Sequence, residues 1–191
     1  MPSAEAHEIK ANSFNRQIEV LRKRLGAARF EVLEQALSVE TRALIARPPL
    51  PMAWIPTEHS TELLEKALSV GFHGHLGELF EVGREQFKGD MSTLYRVFMR
   101  LASPHTLADR ASAIFATYQR GGGARMSCTA KAPQSVDLFV EHVRMPSPAF
   151  WSYLRGSIHA VLEMSGVKGT EVVIVRGGGS EPSTLFRGSW R

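Results

Sequence analysis

A chain of 191 residues with 43% hydrophobic and 22% charged residues is long enough for one domain with a sizeable core. No run approaches the ~20 apolar residues that span a bilayer, Met1 to Lys10 lack a signal peptide's apolar core, and a single cysteine, Cys128, excludes an internal disulfide and any multi-cysteine zinc site. The expectation is a soluble cytoplasmic protein. The net charge of +4 lies wholly from Arg120 onward, where nine basic residues face five acidic ones, but no recognition motif or interleaved aromatics accompany it. It reads as a solvated face, with no nucleic-acid partner.

In chain order, residues 1–12 read as a flexible terminus and 13–191 as one α+β domain. Phe14, Ile18, Leu21 and Leu25 recur at helical spacing until Gly26, and Phe30, Leu33 and Leu37 mark a second helix. Ser38 is placed to cap a short third helix through Leu44 and Ile45. Four prolines in Arg47–Pro56 forbid regular helix and give an extended, packed connector with Met52, Trp54 and Ile55 as a small cluster. Thr57 and Ser60 are candidate caps of a helix through Leu63, Leu64 and Leu68 that Gly71 ends. A further helix runs from Gly74 to about Lys88, and another over Met91 to Leu101 turns Leu94, Tyr95, Phe98 and Leu101 inward. Ser103-Pro104 is an N-cap and N1 pair for a helix carrying Ala108, Ala111, Ile114, Phe115 and Tyr118, stopped by Gly121 to Gly123.

The last third reads as a unit. Residues 124–143 alternate like two strands, 147–165 form a helix, and 170–176 and 184–190 are two more strands joined by the Gly- and Pro-rich hairpin Arg176 to Ser183. The fold class is therefore α+β, with a layer of N-terminal helices packed on a C-terminal antiparallel four-stranded sheet that has one inserted helix.

The candidate chemistry is sparse. His73 and His75, with Glu78 three residues on, would make a weak metal trio, but surface histidines account for them better. His159 lies four residues from both Arg155 and Glu163; pairing with Glu163 is its default, haem ligation or base chemistry the alternatives. Cys128 sits on a predicted strand, and a reactive thiol there needs an activating histidine. No GxSxG elbow, phosphate loop or paired-carboxylate motif is present. What remains is a stock of aromatic residues, most of them core and some available to line a pocket between helices and sheet.

Several short motifs in order carry a resemblance over about residues 14–190: Leu50-Pro-Met-Ala-Trp-Ile-Pro56 with His59 and Leu63-Leu64, then Gly83-Arg84, Ser103-Pro104-His105, Ala113-Ile-Phe-Ala-Thr-Tyr118, Gly156, Gly166 and the closing Phe186-Arg-Gly-Ser-Trp190. The pattern resembles a family of uncharacterised proteins met chiefly in myxobacteria. That family in turn looks like a remote relative of 4-vinyl-reductase-like, TRAPP-type and haem-NO-binding domains. The resemblance implies a sensory or scaffolding module and not an enzyme. The chain lacks the metal-binding cysteines of some of these relatives and the Tyr-x-Ser-x-Arg haem-propionate motif, for which Tyr95-Arg-Val-Phe-Met is no substitute, so neither metal nor haem is expected as cofactor. His159 is the one residue that keeps haem open.

The reading is a non-enzymatic module for a small apolar molecule or a protein partner, possibly a homodimer, with Phe98, Phe115, Tyr118 and Trp151 as the expected ligand-binding residues. A pure interaction scaffold is the alternative, and an enzyme using His159 or Cys128 comes third.

Overall fold

The structure is a computed structural model that describes residues 6–90 and 100–191. An antiparallel sheet of four strands, β4 (Arg125–Ala132), β5 (Ser135–Glu141), β6 (Glu171–Arg176) and β7 (Thr184–Ser189), runs in the order β4-β5-β7-β6. Strict alternation in β5 places Val136, Leu138 and Val140 on the buried face, and pairing with Gly188, Phe186 and Thr184 of β7 continues that face across the sheet. The α+β class and the four-stranded sheet expected above are both present.

The helices begin with α1 (Ala11–Gln35). Gly26, at φ 73°, breaks its helical path, which only a residue without Cβ does at low cost; the two expected helices are thus one element with a kink. Ser38 caps α2 (Val39–Ala46) by accepting from the Thr41 amide. The helix α3 (Thr57–Lys66) leads into a π-helical turn over Ala67–Gly71, and α4 (Leu76–Asp90) follows. Ser103 caps α5 (Pro104–Asp109), and α6 (Ala111–Tyr118) is separate from it because Arg110 leaves helical geometry. Ser147 and Pro148 start α7 (Pro148–Met164), the helix inserted between β5 and β6. The expected helix over Met91 to Leu101, including Phe98, falls mostly outside the described residues; Leu101, expected to point inward, is described and is 82% exposed.

Three further expectations are corrected. Residues 6–12 are not frayed: β1 (Glu8–Lys10) is the centre of a second, three-stranded sheet between β2 (Trp54–Pro56) and β3 (Gln119–Arg120). Ile9 is buried there, and Glu8 pairs with Arg120 at 2.7 Å. Met52 is 73% exposed and does not join Ile55 in the core, because it lies in the turn before β2, outside the paired strand. Thr57 and Ser60 lie within α3, whose N-cap is Pro56, and both are buried.

The helix α7 is central and buried on both sides. Phe150, Trp151, Leu154, Ile158 and Leu162 pack on the sheet, while Ala149 and Tyr153 join the core of α1, α3 and α4. Its approach to α4 is backbone on backbone: a methyl group built on Gly83 overlaps the Tyr153 carbonyl, and one built on Gly156 overlaps the Phe80 carbonyl. An ion-pair clamp closes this seam. Arg84 donates from Nε and Nη2 to the two Glu163 oxygens, each at 3.0 Å, and Lys88 Nζ is 2.7 Å from the same carboxylate.

The Arg84 hydrogen bonds, with help from Lys88, hold the Glu163 carboxyl down to about 2 from an ordinary 4.5. A folded value below the unfolded one contributes stability fully above the unfolded value and loses it as pH falls through the folded value. Glu163→Gln is expected to cost roughly 1 kcal/mol near neutral pH, allowing for screening of a third-exposed carboxylate. It should also flatten the stability–pH curve between 4.5 and about 2, which urea unfolding across that range measures.

Gly156→Ala is expected to destabilise by about 3 kcal/mol, the upper end for overpacking, despite the ~1 kcal/mol that alanine gains over glycine inside a helix. Denaturant midpoints test this, and a variant as stable as the parent contradicts the close approach.

Candidate functional site

Between the helical layer and the sheet lies a cavity of ≈ 100 Å³. Its larger end is apolar. Leu107, Ala111 and Phe115 close it from α5 and α6, Phe150, Leu154 and Ile158 from α7, and Met126, Val136 and Leu138 from the sheet floor. These positions follow from period-2 alternation in β5, from Met126 as the buried residue of β4, and from the sheet-facing stripe of α7.

The other end is polar, and nothing in the sequence reading pointed to it. Ser13 and Gln17 are one turn apart on α1, Thr57 and Ser60 one turn apart on α3, and Gln86 comes from α4. All five are buried, Gln17 completely. Ser60 Oγ donates to Gln17 Oε1 at 2.8 Å, and Gln86 Nε2 donates to Ser13 Oγ at 2.8 Å. Gln17 Nε2, Gln86 Oε1 and Thr57 Oγ1 have no partner. A buried polar group left unpaired costs about 1–3 kcal/mol, so three at one cavity wall are a concentrated cost that packing does not explain. Nearby, His7 Nε2 lies 3.1 Å from Gln119 Oε1, and burial pushes the imidazole below its ordinary value.

Of the four expected ligand-binding residues, Phe115 and Tyr118 line this cavity. The Tyr118 ring tilts against Phe87, centroids 5.9 Å apart. Trp151 lies away from the cavity, fully buried, with its indole N–H donated to the Gly179 carbonyl at 3.1 Å; it ties α7 to the β6–β7 hairpin. Phe98 lies outside the described residues.

The other singled-out groups are engaged elsewhere. His159 Nε2 donates to the Thr170 carbonyl at 3.0 Å, Nδ1 stands 3.5 Å from Glu163, and Phe80 meets the ring edge to face at 5.3 Å. Burial, outweighing the Thr170 bond, lowers its pKa. Cys128 contacts the Ala130 carbonyl at 3.6 Å, beside the bulge in β4, and burial pushes its thiol up, away from the thiolate. Glu78 is held by Arg24 at 2.7 Å while His73 and His75 are exposed. Among the described residues no three His, Cys, Asp or Glu side chains stand close enough to hold a metal, and no helix is long and apolar enough to cross a membrane.

No family model matches the chain, and no curated protein matches it. Solved structures do. A ferrous, unliganded H-NOX protein from K. algicida superposes with a TM-score of 0.72 at 10% identity, covering 96% of this chain and 97% of that one. An oxygen-binding H-NOX domain related to soluble guanylate cyclases, as its oxygen complex, gives 0.65 at 14%, covering 96% and 95%. A structure from work on haem distortion in the H-NOX family gives 0.65 at 14%, covering 96% and 95%. At such identities the likeness is one of fold.

That fold raises the question of haem. Haem iron takes an axial imidazole, thiolate, thioether or phenolate, and haem's two propionates call for cations. None of the seven histidines lines the cavity, nor does Cys128, and no lysine or arginine does among the described residues. The donors left are the phenols Tyr118 and Tyr153 and the thioether of Met126. The volume also falls below the roughly 300–1,000 Å³ of pockets for drug-sized ligands. These residues do not fit haem. Haemin titrated into the protein is expected to give no Soret shift that saturates at one equivalent; a sharp, saturable band would contradict this.

Proposed function

We propose that the chain is a ligand-binding sensory module whose ligand is a small, largely apolar molecule held without haem in the cavity between the helical layer and the sheet. The observation that supports it most is the cavity itself, apolar over most of its wall and formed by α1, α3, α4, α5, α6, α7 and the sheet together. A well-packed domain keeps few voids larger than a water molecule; an apolar cavity of about 150 Å³ holds benzene, and this one, at ≈ 100 Å³, holds a single-ring body by a small outward movement of its walls. The oxygen-binding H-NOX domain named above has this fold; here the same architecture holds its ligand in direct contact with side chains.

Action by such a ligand requires different affinities for two arrangements of the protein. A molecule in this cavity touches α7 and the sheet on one side and α1 and α3 on the other. It favours whichever spacing of the two layers completes its contacts. Read-out through a protein partner or a second copy of the chain, in the cytoplasm, belongs to the same proposal, as does a non-enzymatic role.

Filling the cavity tests it. Ala111→Leu places an isobutyl group into the apolar end and is expected to raise stability by roughly 0.5–2 kcal/mol, the usual gain from cavity filling. It should also abolish the stabilisation that toluene gives the parent protein in thermal unfolding. Toluene stabilising parent and variant equally would contradict the site.

A further inference from the structure

Three unpartnered polar atoms stand at one end of a largely apolar cavity. We infer that the ligand carries an uncharged head of the amide type, a carbonyl oxygen beside an N–H, which docks against Gln17, Gln86 and Thr57. This rests on the cavity reading above.

The chemistry follows from what each residue has left to give. Gln17 has its Oε1 occupied by Ser60, so its Nε2 is a free donor; Gln86 has its Nε2 occupied by Ser13, so its Oε1 is a free acceptor. The Thr57 hydroxyl, with no partner, serves as either. One donor, one acceptor and one group of both kinds complement a head that accepts and donates side by side. A hydrocarbon leaves all three unpaired.

A charged head fits worse. No Asp, Glu, Lys, Arg or His side chain lines the cavity among the described residues, and an ion buried without a counter-charge is strongly disfavoured. The described wall therefore disfavours carboxylates and ammonium compounds. Primary amides and lactams on a short apolar body are the class that the wall selects.

The test uses three probes with one body: toluene, benzamide and benzoate. Binding is followed by the methyl ¹³C shifts of Ile158 and Met126, which both line the cavity, in the full chain at neutral pH. Benzamide is expected to bind at least tenfold more tightly than toluene, and benzoate to produce no saturable shift. Thr57→Val removes a hydroxyl that the fold does not use; it should leave Tm unchanged or raised, leave toluene affinity unchanged, and weaken benzamide several-fold. Gln86→Met, close in volume, is expected to weaken benzamide about tenfold with the toluene shifts preserved.

Toluene and benzamide binding alike, or both weakening alike in the two variants, would overturn the head-group assignment while the cavity reading stands. Tight benzoate binding would overturn the neutrality of the head. Failure of all three probes to move either methyl would remove the cavity reading itself, and this inference with it.

Discussion

The fold depends on two glycines that let two helices touch backbone to backbone. Gly83 on α4 and Gly156 on α7 each face a carbonyl of the other helix, with no room for a methyl group. The near contact turns α7 into a shared wall. Its Tyr153 side belongs to the helical core and its Phe150, Leu154 and Ile158 side to the sheet core. Ser157 sits just beyond Gly156, with its hydroxyl 3.4 Å from the Gly83 carbonyl. The Arg84–Glu163 clamp then fixes the axial register of the pair. A larger residue at either glycine would lift α7 from α4, and the cavity that both helices wall would change shape.

The cavity's character follows from what meets there. Sheet alternation and the α7 stripe supply apolar surface, whereas α1 and α3 bring hydroxyls and an amide on their buried faces. In ordinary core packing, leucine or methionine at positions 17 and 86 would avoid the desolvation cost of two amides. Each glutamine instead spends half its hydrogen-bonding capacity on a serine and keeps the other half unpaired. The same overall fold in H-NOX proteins accompanies haem; here the residues at the cavity offer neither imidazole nor propionate-binding cations among those described.

Much of the fold was legible because local signals and tertiary needs agree. The alternation of β5, the Ser147-Pro148 start of α7, the Ser38 and Ser103 caps and the helix break at Gly26 are all patterns of short range. What was not legible depends on distant partners. Glu8–Lys10 looks like a polar tail until Trp54–Pro56 and Gln119–Arg120 supply its two neighbours. The site was legible only in part for the same reason. Aromatic bulk on a helix facing the sheet singled out Phe115 and Tyr118, but it equally singled out Trp151, whose indole N–H is engaged by the hairpin. The polar end was invisible because Gln17 and Gln86, 69 positions apart, look like solvent-facing residues in any local window. A weak hint was present: Ser13 and Gln17 share the face of Phe14, Ile18 and Leu21, so the apolar stripe of α1 carries two polar residues that burial must accommodate.

A largely apolar cavity lies between α7, α6 and the sheet. The most direct measurement is a crystal structure of the protein under xenon pressure, since xenon enters apolar cavities of this kind without any ligand being identified first. Xenon is expected among Phe115, Leu154 and Ile158, with the Gln17 and Gln86 amides left free or bridged by ordered solvent. A structure in which these side chains close on one another and no xenon enters would contradict it.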